Sequence, residues 1–170
     1  MTTLPAHFES ALRIILEQLA DLPEGWALTG SVGMVLQGLP VEVHDIDLQT
    51  SPLGAFQIQQ RLEAWMTVAV RQVESPVMRS LLGKAVVQGV EVEIIGGVQK
   101  RLENGEWEAP VNVAEHRCWV NWQGQRVPAL ALEYEVEAYR RMGRLEKAEK
   151  IRRWLNCSKK TLTRTNFLIK

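Results

Sequence analysis

Asp45-Ile46-Asp47-Leu48 sets two carboxylates two residues apart in an otherwise apolar run. On a β-strand such residues share a face. Asp45 and Asp47 then project together, while Ile46 and Leu48 turn toward a core. Like charges held side by side repel, and a fold keeps such a pair mainly when a cation sits between them. Mg²⁺, a hard ion that takes oxygen ligands, suits that place. About fifteen residues upstream, Leu28-Thr29-Gly30-Ser31 closes a short apolar run with Gly-Ser. Gly30 lets the backbone approach a ligand closely, and the Ser31 hydroxyl adds a donor. If a helix starts there, its first N–H groups have no intrahelical partner and can hold phosphate oxygens. The two phrases together point to metal-dependent phosphoryl or nucleotidyl chemistry.

Such chemistry needs a clamp for the triphosphate, charge neutralisation at the reacting phosphorus and an activated acceptor. Two metal ions a few ångströms apart can supply the last two. A third carboxylate would complete that site, and Val90-Glu91-Val92-Glu93-Ile94-Ile95 offers two. Glu93 is preferred because the apolar residues after it, then Gly96, set it near the end of a buried strand. Glu91 remains the alternate.

The elements that must position these residues follow from periodicity. Phe8, Leu12, Ile15 and Leu19 recur at helical steps, so Ala6 to Leu19 is expected as an amphipathic helix. Trp26 to Thr29 is a short strand, and Gly30-Ser31 turns the chain into a helix ended by Gly38 and Pro40. Val43 to Gln49 is the strand that carries the aspartates. Ser51-Pro52 starts a helix whose buried stripe is Ile58, Leu62 and Trp65. Val68 to Val73 is a third strand. Lys84 to Val87 and Val90 to Ile95 form a hairpin about Gln88-Gly89, with Gly96-Gly97 ending it. Asn104-Gly105 is a turn. Glu115 to Trp122 and Arg126 to Pro128 are strands around Gln123-Gly124. From Leu130 the pattern is helical, with a break at Gly143. The expected fold is α+β: a mixed sheet flanked by helices, with a C-terminal helical hairpin. Residues 1–128 would form the catalytic domain and 129–170 C-terminal helices and a basic tail packed on it.

Leu28-Thr29-Gly30-Ser31, Asp45-Ile46-Asp47 and Glu93 resemble, in type and order, the pattern of the polymerase-β superfamily of nucleotidyltransferases. That pattern is a hydrophobic residue, Gly, then Gly or Ser on a strand-to-helix turn, an acid-apolar-acid strand, and a third acid on a later strand. The stretch from Trp26 to Leu48 is most similar to the small-molecule-modifying and toxin–antitoxin-associated branches, including lincosamide-type enzymes. The phrase from Ala129 to Tyr134 and on through Gly143-Arg144-Leu145-Glu146-Lys147-Ala148 is similar to the C-terminal helices of those smaller members.

The resemblance implies a nucleotidyltransferase that moves an NMP group from an NTP, ATP among the candidates, to a hydroxyl-type acceptor. It implies Asp45 and Asp47 as ligands of nucleotide-bound Mg²⁺. Glu93 would help bind a second ion or deprotonate the acceptor. Gly30 and Ser31 would hold the β- and γ-phosphates, and Lys147 is the better basic residue of the last helices to face the triphosphate. There are two departures. Val41 to His44 stand where many relatives carry Arg or Thr, and the third acid is Glu rather than Asp. A non-catalytic nucleotide-binding relative, or a component of a toxin–antitoxin pair, is the alternative reading. His44 alternates to the other face from Asp45 and is expected to pack or hydrogen-bond rather than to catalyse.

The bulk composition fits this reading. The 170 residues are 46% hydrophobic, enough for a core. No apolar run spans a bilayer and no signal-peptide pattern opens the chain, so a cytoplasmic protein with no membrane partner is expected. Cys118 and Cys157 form no metal cluster and are expected to be reduced. The net charge of zero hides an asymmetry: Arg140 to Lys170 carries eleven Lys or Arg against two Glu. Such a segment is either solvated helix surface or a wall for a polyanion, a triphosphate or RNA. The acceptor is not named by the sequence. A chain this small can borrow part of its acceptor pocket from a second copy in a homodimer.

Overall fold

The computed structural model describes residues 3–167, with side chains as far as Lys159. The chain divides into two compact units, Met1–Leu130 and Ala131–Lys170.

The first unit runs α1 (Ala6–Gln18), β1 (Trp26–Thr29), α2 (Gly30–Leu36), β2 (Ile46–Thr50), α3 (Pro52–Arg61), a 3₁₀ turn (Glu63–Trp65), β3 (Met66–Glu74), β4 (Met78–Val87), β5 (Val90–Lys100), α4 (Val113–His116), β6 (Arg117–Trp122) and β7 (Gln125–Leu130). Its seven strands form one sheet in the order β3-β4-β5-β2-β1-β7-β6. β1 pairs in parallel with β7, and β2 with β5; the other four pairings are antiparallel. This is the mixed α+β sheet that the alternation of elements predicts.

The strand carrying Asp47 is central because its alternate residues are apolar. Ile46 and Leu48 of β2, and Val92 and Ile94 of β5, are fully buried in one cluster with Phe8, Leu12 and Ile15 of α1. Each such side chain contributes about 1.5–3 kcal/mol by leaving water. That burial fixes which way the intervening residues point, since a one-residue slip would expose the whole apolar set.

Turn chemistry fixes register. Gln88 and Gly89 have φ of 52° and 76°, and Gln123 and Gly124 have 50° and 81°. Two successive left-handed residues make the tight hairpin turn whose twist matches that of the strands. α2 ends in a Schellman motif: Gly38 N donates to Val35 O at 2.9 Å and Leu39 N to Met34 O at 3.0 Å. At the start of α3 the Ser51 hydroxyl accepts from Gly54 N at 2.9 Å, with Pro52 at the first helical position.

The structure corrects several expected boundaries. β2 begins at Ile46 rather than Val43, so Asp45 stands just ahead of the strand. A short helix, α4, takes residues expected at the start of β6, where the Asn112 side chain accepts from Ala114 N. Trp65 leaves the buried stripe for the 3₁₀ turn and is half-buried. Gly96-Gly97 does not end its strand; β5 continues to Lys100. These glycines are there because α3 crosses close above them. A Cβ on Gly96 would meet Ala55 Cβ at 2.6 Å, and one on Gly97 would meet Pro52 Cγ at 2.6 Å.

In the second unit, α5 (Leu132–Arg141) and α6 (Leu145–Phe167) form the C-terminal helix pair. Gly143, with φ of 75°, closes α5: its N donates to Arg140 O at 3.0 Å and Arg144 N to Tyr139 O at 2.9 Å. Leu132, Ala138 and Tyr139 of α5 and Ala148 and Ile151 of α6 are buried. Among the described residues, no helix is long and apolar enough to cross a membrane.

Gly97→Ala combines a left-handed backbone, φ of 60°, with a collision against Pro52. It should cost about 1–3 kcal/mol, more than Gly89→Ala at an open turn, where only backbone strain applies. Urea denaturation of both variants checks the order.

Candidate active site

β-sheet register sets two of the predicted residues, Asp47 and Glu93, side by side. Thr29 of β1 lies opposite Asp47 of β2, Asp47 opposite Glu93 of β5, and Glu93 opposite Lys84 of β4. Directly opposed residues share a face, on strands about 4.8 Å apart. Thr29, Asp47, Glu93 and Lys84 therefore form one cross-strand row on the face opposite Ile46 and Leu48. Glu93 is the fourth residue of an eleven-residue strand, not near its end. Its alignment with Asp47, rather than a strand terminus, is what places it.

The Gly30 turn closes on the same row. Gly30 has φ of 66°, and a Cβ there would overlap Asp47 Oδ2. The Asp47 carboxylate thus rests against the turn between β1 and α2, in space that only glycine leaves open. Beside it, the Ser31 hydroxyl is buried and has no hydrogen-bond partner. A buried hydroxyl left unpaired costs free energy that a ligand oxygen could recover. α2 is secured at its far end. Gln37 Nε2 donates to Gly33 O at 3.1 Å and to Leu130 O at 2.8 Å, tying the helix to the end of β7.

Lys84 is the cation of the row. Its ammonium lies 2.8 Å from Glu93 Oε1 and 2.9 Å from Glu91 Oε1. The hydrogen bond to Glu93, then that to Glu91, raises the Lys84 pKa well above its ordinary value near 10.5. Both glutamates weighed as the third acid are thus held by one lysine. Only Glu93 lies opposite Asp47. Neither Lys84 nor Thr29 is among the site residues expected from the sequence; register adds both to the row.

Among the described residues, no three Asp, Glu, His or Cys side chains are gathered into a metal cage. Mg²⁺ does not require one. It is commonly held by one or two carboxylates together with substrate phosphates and water. The side-chain donors here are all oxygen: the half-buried Asp47 against the Gly30 turn, the unpaired Ser31 hydroxyl next to that glycine in the chain, and the half-buried Asp45 two residues before Asp47. That set fits a metal–triphosphate better than a bare ion.

Lys147 is on α6 in the second unit, its ammonium 4.5 Å from the Tyr139 ring centroid; the Arg144 guanidinium is 5.3 Å from the same ring. Some of the basic surplus there is paired within its own helix. Arg140 binds Glu137 at 2.7 Å, and Arg152 and Arg153 bind Glu149 at 2.8 and 3.0 Å. His44 is exposed in the loop before β2.

A family model described as aminoglycoside-2''-adenylyltransferase matches residues 11–153. Among solved structures, that of a candidate nucleotidyltransferase from Thermotoga maritima (TM1012) shares 40% identity. It superposes with a TM-score of 0.81 over 91% of this chain and 96% of that one. The lincosamide antibiotic adenylyltransferase LnuA, solved with lincomycin bound, shares 18% identity with a TM-score of 0.53, over 84% and 97% of the two chains. ANT(2'')-Ia, solved with adenylyl-2''-tobramycin, shares 12% identity with a TM-score of 0.51, over 92% and 94%. At those two identities the likeness is one of fold. No curated protein matches the sequence.

Gly30→Ala should displace the Asp47 carboxylate and abolish nucleotidyl transfer while the far-UV circular dichroism spectrum is kept. For Lys84, the folded-state pKa is raised, so its contribution to stability is complete below about pH 10 and lost only as pH rises through the higher folded value. The stability lost in Lys84→Met should accordingly be constant between pH 6 and 9, as measured by urea denaturation. It should shrink with added salt, because the pair is partly exposed.

Proposed function

The chain belongs to the aminoglycoside-2''-adenylyltransferase family and is a nucleotidyltransferase, and from this we propose that it transfers the NMP group of an Mg²⁺-bound NTP to a hydroxyl of a small-molecule acceptor. The observation that carries the reading is the cross-strand row from Thr29 through Asp47 to Glu93, with Asp47 against the Gly30 turn. The description of the matching family, aminoglycoside-2''-adenylyltransferase, supports a small molecule as the acceptor class.

In this reading Asp45 and Asp47 hold Mg²⁺, which when bound neutralises phosphate charge at the reacting centre. The Gly30 turn gives the triphosphate close access to backbone, and the Ser31 hydroxyl donates to a phosphate oxygen. Glu93, one strand over from Asp47, accepts the proton of the acceptor hydroxyl. The acceptor oxygen, so activated, bonds to the α-phosphorus, and the bond to the β-phosphate breaks to release pyrophosphate. Lys84 holds Glu93 turned along the row, which favours a base over a metal ligand at this position.

Pyrophosphate release, measured with Mg·ATP and a panel of hydroxylated small molecules, tests the proposal. Asp47→Asn should lose on the order of 100-fold or more, since metal-assisted charge neutralisation is worth several kcal/mol. Glu93→Gln should lower kcat with little change in nucleotide KM. Chelation with EDTA should stop the wild-type reaction, and added Mg²⁺ should restore it. Equal release by the wild type and Asp47→Asn would overturn the assignment.

A further inference from the structure

At the other end of β1 from Asp47, the first unit holds a cavity of about 440 Å³. Trp26, at its edge, is three residues from Thr29, or about 10 Å along the strand. One side of the cavity is apolar, formed by Leu19 and Leu22 after α1. The other side is built on the edge hairpin β6–β7. Trp119 stands opposite Pro128 there, with Arg117 two residues before it on β6 and Arg126 diagonal to it on β7. The Arg117 guanidinium is 5.0 Å and that of Arg126 4.9 Å from the Trp119 ring centroid.

Three features of this cavity point to a ligand. First, neither guanidinium makes an ion pair among the described residues; a guanidinium stacked on an indole keeps its in-plane N–H donors available. Second, Glu24, the acid that lines the cavity, is engaged elsewhere: its Oε2 accepts from the Ser51 hydroxyl at 2.6 Å. Third, Gly25 makes room for the cation. A Cβ there would sit 3.3 Å from Arg117 Nη1. Trp119 remains 49% exposed although it sits between apolar walls and two cations.

We propose that this cavity is a second binding site, separate from the carboxylate row, for a small organic anion whose phosphate or carboxylate head is held by Arg117 and Arg126 while an apolar or aromatic body packs between Trp119 and the leucine wall. The volume falls in the range of small-molecule sites, which bury an apolar body and fix its orientation with a few polar groups. Two unpaired guanidinium forks select an anionic head. The walls select a body, so a bare inorganic anion gains only part of the binding.

Isothermal titration of the 170-residue chain, in EDTA so that metal-dependent binding is silent, tests this with phenyl phosphate, phenylacetate and inorganic phosphate. Phenyl phosphate or phenylacetate should bind with a Kd on the order of 1 mM or tighter. The stronger of the two identifies the head group. Arg117→Gln/Arg126→Gln should weaken that binding by about tenfold or more, the scale of charged hydrogen bonds. Asp47→Asn should leave it unchanged. Arg117→Lys, which keeps the charge but loses the fork, should fall between, and it guards against a double variant that fails to fold. Failure of both aromatic anions to bind, equal binding by the double variant, or inorganic phosphate binding as tightly as phenyl phosphate would each overturn the proposal.

Discussion

The site depends on one close approach: a strand carboxylate resting against a left-handed glycine. Asp47 reaches the turn between β1 and α2 because Gly30 has no Cβ to exclude it. Any other residue would be strained at φ of 66° and would also overlap the carboxylate. The chain around the pair is built to hold it. Ile46 and Leu48 bury the opposite face of β2, and β1 pairs with β2 so that Thr29 faces Asp47. Gln37 pins the far end of α2 to Leu130 O. The turn and the carboxylate thus come from separate strands whose register is fixed by the core.

This arrangement concentrates negative charge, and the fold offsets part of it from within. Glu93 sits in the parallel strand beside Asp47, where a second carboxylate in the row would repel the first. Lys84, in the next strand, lies 2.8 Å from Glu93 and draws it along the sheet. The row therefore runs hydroxyl, carboxylate, carboxylate, ammonium. Glu91 takes the same ammonium at 2.9 Å, and the paired register of β2 with β5 begins one residue beyond it, at Val92.

Much of this was legible in the sequence, and what was missed has a physical pattern. The apolar alternation that turns Asp47 away from the core, the Gly30-Ser31 turn and the Gln88-Gly89 and Gln123-Gly124 hairpins are local signals, carried by residues whose conformational preferences act over two to four positions. The pairing of Lys84 with Glu93 is set by register rather than by neighbours in sequence. Yet counting outward from a two-residue turn pairs Val87 with Val90 and hence Lys84 with Glu93. The Gly96-Gly97 pair was read as a strand end because glycine usually punctuates. The tight crossing of α3 that requires it is a tertiary fact, invisible to local pattern. The Arg117–Trp119–Arg126 group combines β6 with β7 and faces the end of α1, so no single stretch of sequence advertised it.

The first unit's cations are used in two opposed ways, and the contrast separates structure from recognition. Lys84 is saturated: two carboxylates within 3 Å leave its ammonium little to offer a ligand. Its compact charge suits the task of holding an acid in place. Arg117 and Arg126 are stacked on an indole instead of paired with acids. A stacked guanidinium is fixed in orientation while its N–H edges stay unspent, so the entropy of ordering it has already been lost before a ligand arrives. The fold supplies carboxylates elsewhere on the sheet, and Glu24 in the same cavity is turned to Ser51. The geometry thus leaves two ordered forks beside apolar walls, and an anion with an apolar body is the ligand that satisfies both.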